Sequence, residues 1–342
     1  MRGSPVSGIA DVARLAGVSK STASRALSGG GYVAAETRER VEEAAATMGF
    51  VASSSATSLV TGRHLNVAML TPSVTRWFFT EVIEGVEGAL ADSDFDLTLY
   101  RLGSGADARR RVFDYFLMRK RVDAVIAVGV ALSTVEVDVL RTLGRPIVGI
   151  GGPIAGIPTL GIDDTAASRT MTEHLLELGH TRLLHFGGDR DEQRGFSIQA
   201  QRLRGFRAAV RAARVDPGHD FVRTPFSIQG GYETAMRELA DPRTRPTAVV
   251  AACDEIAIGV ILAARELGID VPQQLSVVGI DDHHLASLFG LTTLRQHPSR
   301  QGSTAVRMVL EALATPMDAT APVSQTTNVN VVVRSSTAPP AT

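Results

Sequence analysis

Between residues 64 and 334 short apolar runs alternate with amphipathic stretches, and this alternation restricts the fold more than any other feature of the chain. The runs 65–70, 95–100, 122–130, 146–150, 183–186, 248–252 and 276–280 have strand length. Helical patterns separate them, for example over 79–91, 166–178, 201–213 and 256–267. Continuous Val/Ile/Leu runs mark strands buried on both faces. Strand-helix alternation predicts parallel sheets covered by helices on each side. The zone is long enough for two such subdomains rather than one. Ligands of open parallel sheets bind beyond the carboxyl ends of the strands, so the residues just after each run are the ones to inspect.

Residues 8–50 read differently, as three short helices. Ile9, Val12, Ala13 and Ala16 fall at helical spacing. Gly17 follows, able to take the left-handed conformation that ends a helix. Ser19 stands at an N-cap position ahead of a second helix through Leu27. A third helix is expected over about 36–48, with Val41, Ala45 and Met48 inward and Gly49 as its stop. A first helix, a tight turn and a second helix exposing Lys20, Ser21, Thr22, Ser24 and Arg25 have helix-turn-helix form. Small side chains there allow close approach to DNA, and an arginine can pair bidentately with guanine. The pattern alone leaves an ordinary small helical bundle with a solvated Ser/Arg face open as well.

Charge and composition exclude rather than identify. The 342 residues carry a net charge of -1, so no global basic field points to nucleic acid; residues 1–63 hold seven basic against five acidic side chains, a mild bias. Hydrophobic residues at 44% and charged residues at 21% are an ordinary globular balance. One cysteine, Cys253, rules out an intrachain disulfide framework and a multi-cysteine zinc site. No apolar run approaches the roughly 18 residues of a membrane span. No secretory leader is expected after Met1, and a cytoplasmic location is the expectation. Gly-x-Ser-x-Gly, Walker-type and Gly-x-Gly-x-x-Gly motifs do not occur, so no enzyme activity and no cofactor are expected. The run Asp281-Asp-His-His284 invites a metal, but adjacent side chains diverge and no metal site is expected.

Asp11-Val-Ala13, Ala16-Gly-Val-Ser19, Thr22, Ser24-Arg25, Leu27, Val33, Thr37-Arg38, Arg40-Val41 and Thr61-Gly-Arg63 resemble the lac repressor/galactose repressor family of bacterial transcription regulators. The resemblance continues to about residue 334. It implies an N-terminal all-α helix-turn-helix domain over 8–50 and a hinge over 51–63. A periplasmic-binding-protein-like α/β core of two parallel-sheet subdomains follows over 64–334. The Ser/Thr/Ala/Pro-rich tail 335–342 is expected to be disordered. The resemblance also implies a hinge helix at 52–60 that orders on operator DNA and wedges a leucine, here Leu59, into the minor groove. The usual Pro-Asn and Ala-Arg of that hinge read Ala52-Ser53 and Ala56-Thr57 in this chain, and Ala34 replaces a capping serine.

By the same resemblance two subdomains close over an effector. Sugars offer apolar faces and a ring of hydroxyls, which aromatics, Arg, Asp and amides recognise. Phe78, Phe79 and Phe226 are the stacking residues implied, and Arg202, Asp281 and Gln296 the polar ones. Asp254 either touches the ligand or braces the site. Two positions depart from the family: its Asn-Pro ahead of the paired aromatics is Arg76-Trp77, and its Asn ahead of Asp254 is Cys253. Arg76 favours an anionic effector such as a sugar acid or sugar phosphate; the alternative is that it faces solvent or pairs with a cleft aspartate. The implied function is a homodimeric repressor on double-stranded, palindromic operator DNA, controlled by a small sugar-type effector. The other class kept open is a sugar-binding module without productive DNA binding.

Overall fold

The computed structural model describes residues 8–28, 31–50, 63–103, 105–117, 121–188, 198–216, 218–314 and 324–341. Leu59 and the hinge expected over 51–63, apart from Arg63, lie outside them.

The N-terminal unit is three helices, α1 (Ile9–Leu15), α2 (Lys20–Ser28) and α3 (Ala35–Thr47). Gly17 ends α1 with φ +68°, a conformation an L side chain takes only under strain. Ser19 caps α2: its Oγ accepts the Thr22 N–H at 3.1 Å. Val12, Ala13, Ala16, Ala23, Ala26, Val41, Ala44 and Ala45 form the core, and their small size lets three short helices pack closely. Arg38 ties α3 to α2 by donating to the Ala26 carbonyl at 2.7 Å. Ala34 at the α3 N-cap offers no side-chain acceptor.

Among the described residues the larger unit contains two six-stranded sheets. Its strands are β1 (Asn66–Thr71), β2 (Asp96–Arg101), β3 (Ala124–Val128), β4 (Ile147–Ile150), β5 (Thr159–Gly161), β6 (Leu183–Gly187), β7 (Phe221–Arg223), β8 (Ala248–Ala251), β9 (Ser276–Asp281), β10 (Thr292–Arg295), β11 (Gln325–Thr326) and β12 (Asn330–Val332). The first sheet runs β11-β5-β4-β3-β1-β2, all parallel. The second runs β12-β10-β9-β8-β6-β7, parallel except for β12. The central strands β1, β3, β8 and β9 are the buried Val/Ile/Leu/Ala runs the sequence marks. Short β5, β7, β10, β11 and β12 carry too few apolar residues to stand out in sequence.

The helices after α3 are α4 (Trp77–Leu90), α5 (Ala106–Arg110, running into a π-turn over Arg111–Leu117), α6 (Thr134–Thr142), α7 (Asp164–Glu177), α8 (Ile198–Ala212), α9 (Ile228–Glu238), α10 (Asp254–Glu266) and α11 (Pro298–Ala314). The chain crosses between the sheets three times. It leaves β5 for α7, whose Met171 and Leu175 pack with Leu183 and Ile280 of the second sheet and with Phe206 of α8. It returns after β10 as α11, whose Ala305, Val306 and Val309 pack on Val67 and Ile126 of the first and on Phe79 of α4. It crosses again between β11 and β12. Each subdomain is therefore completed by chain from the far side of the other.

The expected disordered tail is an error. Ser336 is buried, accepts the Thr292 N–H at 2.8 Å and donates to the Val277 carbonyl at 2.6 Å. The Ala338 carbonyl accepts from the Ser276 hydroxyl at 3.0 Å, and Thr337 meets the His174 ring at 3.1 Å. The polar side chains that look like a solvated tail in sequence satisfy the starts of β9 and β10 instead.

Candidate functional site

On α2 the buried Ala23 and Ala26 hold the helix against its core. This leaves Lys20, Ser21 and Arg25 exposed, with Thr22 and Ser24 half-buried beside them. Thr22 shares its hydroxyl with Ser19 at 2.9 Å, and Arg25 reaches back to the Ser21 carbonyl at 3.3 Å. The exposed edge thus presents two cations and short hydroxyls, which suits phosphate and base-edge contacts. The sequence reading passed over Tyr32, 92% exposed in the turn before α3. Its signal was an aromatic placed in a glycine-rich turn.

The second site lies where the carboxyl ends of both sheets face each other. Phe79 belongs to the first subdomain and Phe226 to the second. Each ring rests on a glycine at a strand end: a Cβ on Gly129 would lie 2.8 Å from the Phe79 ring, and one on Gly188 would lie 2.9 Å from Phe226. The Arg76 guanidinium stands 5.5 Å from the Phe79 centroid and 4.9 Å from the Phe226 centroid. Its Nε also lies 3.4 Å from Glu255 Oε2 on α10. Trp77 extends the same bridge, 5.0 Å from the His283 ring. Of the two alternatives for Arg76, the structure matches pairing with a cleft carboxylate, although the partner is Glu255 rather than an aspartate. Phe78 packs edge-on against Phe79 at 5.4 Å and forms part of the first core.

Behind this clamp lies a buried polar layer. Arg202 donates from Nε to Asp164 at 2.8 Å, and also to the Ala252 carbonyl. Asp254 accepts the His283 N–H at 2.8 Å and the Thr293 hydroxyl at 2.6 Å, so it braces the loop after β9. Gln296 donates to Asp281 at 2.6 Å and accepts from Gln301 at 3.2 Å. Asp281 and Asp282 take φ of 142° and 58° where the chain turns off β9. That turn is held by Asp282, which accepts from Arg295 at 2.5 Å and Arg334 at 2.7 Å. Burial pushes the carboxyl pKa values of Asp254, Asp281 and Glu255 upward; the shift is opposed at Asp281 by the Arg202 charge, the Gln296 hydrogen bond and then Arg76, and at Glu255 by Arg76. Cys253 is buried at the start of α10 and its thiol is pushed up to about 12, which leaves it unreactive.

The structure therefore brings Arg76, Phe79, Phe226 and Asp281 to one cleft. It places Arg202, Asp254 and Gln296 as its supports. Glu255, Trp77 and His283 complete the cleft and were missed as site residues. Each carried a signal: Glu255 is an acidic residue in the first turn of a helix that begins at a strand end, Trp77 stands in the Arg76-Trp77 departure, and His283 lies in the Asp281-Asp-His-His284 run. Among the described residues no group of three His, Cys, Asp or Glu could hold a metal ion. None of their helices is long and apolar enough to cross a membrane.

A DNA-reading head joined to a two-subdomain ligand cleft defines a class, the ligand-responsive DNA-binding regulators. Residues 8–53 match the bacterial regulatory proteins of the lacI family, and residues 172–337 match the periplasmic binding protein-like domain. The chain is 30% identical to the HTH-type transcriptional repressor PurR of Vibrio atlanticus, over 89% of this chain and 91% of that one. It is also 30% identical to the ribose operon repressor of Escherichia coli, over 90% and 93%. Among solved structures, the transcriptional regulator CelR in complex with cellobiose matches with TM-score 0.69 and 26% identity, over 96% of this chain and 99% of that one. The lac repressor dimer bound to operator and the anti-inducer ONPF matches in fold with TM-score 0.83 and 24% identity, over 98% and 100%. The chain belongs to the lacI family of bacterial regulatory proteins, and it is a DNA-binding transcription regulator with an effector-binding core.

Proposed function

We propose that the protein is a homodimeric repressor that reads a palindromic or near-palindromic operator and releases or grips it according to a small sugar-type effector. The observation that carries this reading is the aromatic clamp of Phe79 and Phe226 over a layer of buried polar groups, in a chain that also exposes a Lys/Ser/Arg edge on α2. An apolar ring face between aromatics, with hydroxyls facing carboxylates and an amide, is how a sugar is held. The relatives are repressors, and CelR was solved with cellobiose; both support the assignment. The proposed sites are Lys20, Ser21, Thr22, Ser24, Arg25 and Leu59 for DNA, and Arg76, Phe78, Phe79, Phe226 and Asp281 for effector. Arg202, Asp254 and Gln296 act as supports.

For the dimer, Ile228, Tyr232 and Leu262 line a groove between α9 and α10, which adjoins a second groove lined by Ile261 and Phe289 at Arg265. This surface of mixed apolar and polar groups, with Gln229, Arg265 and Glu266 beside the apolar ones, is the face we assign to twofold pairing. A repressor of chromosomal genes works in the cytoplasm and has no need of turnover chemistry.

The test is selection of random duplex DNA by the purified protein at a stated salt concentration, since affinity depends on salt. An enriched inverted repeat is the expected result. No enrichment, with or without added metabolite extract, would reduce the protein to a sugar-binding module.

A further inference from the structure

The occupant of the clamp is part of the chain. The two residues before the paired aromatics are Arg76-Trp77. Arg76 is the N-cap residue of α4, and its side chain is 29% exposed. Its guanidinium lies within cation–π range of an aromatic ring from each subdomain and pairs with Glu255 across the cleft. A guanidinium is flat and weakly hydrated, so it lies between two aromatic faces at a lower desolvation cost than an ammonium.

Emptying the slot leaves a defined chemistry. Glu255, the carboxylate that pairs with Arg76, then faces the slot, and an ionised carboxylate only accepts hydrogen bonds. The Arg202 guanidinium behind it is already engaged with Asp164 and the Ala252 carbonyl. Among the described residues other than Arg76, the clamp offers an arriving anion the Glu255 carboxylate and no uncommitted arginine. A molecule rich in donors would replace what Arg76 supplied.

We propose that Arg76 is an internal occupant of the effector site: it closes the cleft when no effector is present, and it restricts effectors to flat, donor-rich molecules, neutral or cationic, that can take its place between Phe79 and Phe226. The proposal rests on the reading of this cleft as the effector site. It replaces the expectation of an anionic effector. A ligand that displaces Arg76 must exceed the closure Arg76 itself provides, because only differential affinity shifts the balance between states.

Trp77 is the only tryptophan and lies on the same bridge, so it reports closure. The test is acrylamide quenching of the full-length protein with neither DNA nor effector present. It can therefore fail while operator selection succeeds, and the reverse. Arg76→Ala is expected to raise the quenching constant about two-fold by populating the open state. Glu255→Gln, on the other subdomain and remote in sequence, is expected to raise it less. Methylguanidinium, well below unfolding concentrations, is expected to return Arg76→Ala to the parent value. Ammonium chloride or sodium acetate at equal ionic strength is not. An unchanged constant in Arg76→Ala overturns the proposal. So does a rise that methylguanidinium leaves in place, or one that ammonium or acetate reverses equally. If Arg76→Ala melts below the assay temperature, Glu255→Gln decides: a raised constant supports the proposal and an unchanged one overturns it.

Discussion

Two residues illustrate how a single side chain is set by its surroundings. Arg25 projects from a helix whose neighbours Ala23 and Ala26 face inward, so its head is available to a base edge while its stem passes Gly31. Arg25→Ala should lower affinity for a selected operator about 10- to 100-fold, the value of one bidentate base contact. It should leave a salt-sensitive remainder from phosphate contacts. Binding titrations at two salt concentrations check this; unchanged sequence preference would reassign the residue. His185 on β6 is fully buried, 5.4 Å from the Phe206 ring and 6.2 Å from Phe221. Burial, then Arg202 and Arg207, lower its pKa to about 3. The unfolded chain then binds the proton that the folded one refuses. The neutral ring's contribution is present above the ordinary histidine value and is lost as pH falls through it toward 3. Between pH 7.5 and pH 5 this amounts to about 2 kcal/mol. Urea unfolding of the parent should show that loss, and His185→Leu should flatten it.

Among the elements, α3 starts without a side-chain cap because Ala34 occupies the N-cap with φ -57° and ψ 141°, a geometry a serine can share. Ala34→Ser should stabilise the helix-turn-helix unit by about 0.5–1 kcal/mol. Amide exchange of α3 would register it as slower opening, and faster exchange would count against the cap assignment. The entry of the core is pinned in a comparable way. Asp123 Oδ2 accepts the N–H groups of His64 at 2.8 Å and Leu65 at 2.6 Å. The segment arriving from the N-terminal unit is thus tied to the start of β3.

At the scale of the molecule, the three crossings make the two subdomains interdependent. The first needs α11 and β11, and the second needs β12 and the tail. Deleting 335–342 should cost about 2–4 kcal/mol, because the Thr292 and Val277 backbone groups lose the Ser336 hydroxyl and carbonyl. Equilibrium unfolding checks this, and an unchanged midpoint would return the segment to the status of a loose tail. Closure belongs to this scale too. Arg76 and Trp77 meet Glu255, Phe226 and His283 only because the sheets present their carboxyl ends to each other.

What the amino-acid order determined by itself was local. Buried Val/Ile runs specified the central strands within a residue or two at most ends, and the spacing of Ile9, Val12, Ala13 and Ala16 with Gly17 and Ser19 specified the first two helices, because strand and helix periods and caps depend on near neighbours. The same local signals located the strand ends where Arg76, Phe79, Asp254 and Asp281 stand. Tertiary structure decided the rest. Which strand joins which sheet, the return of α11 to the first core, and the burial of Ser336 all depend on partners far away in sequence. So does the role of Arg76, whose partner Glu255 lies 179 residues on. A charge beside a strand end looks alike in sequence whether it awaits a ligand or already has a carboxylate, and only the packing of the two subdomains distinguishes these cases.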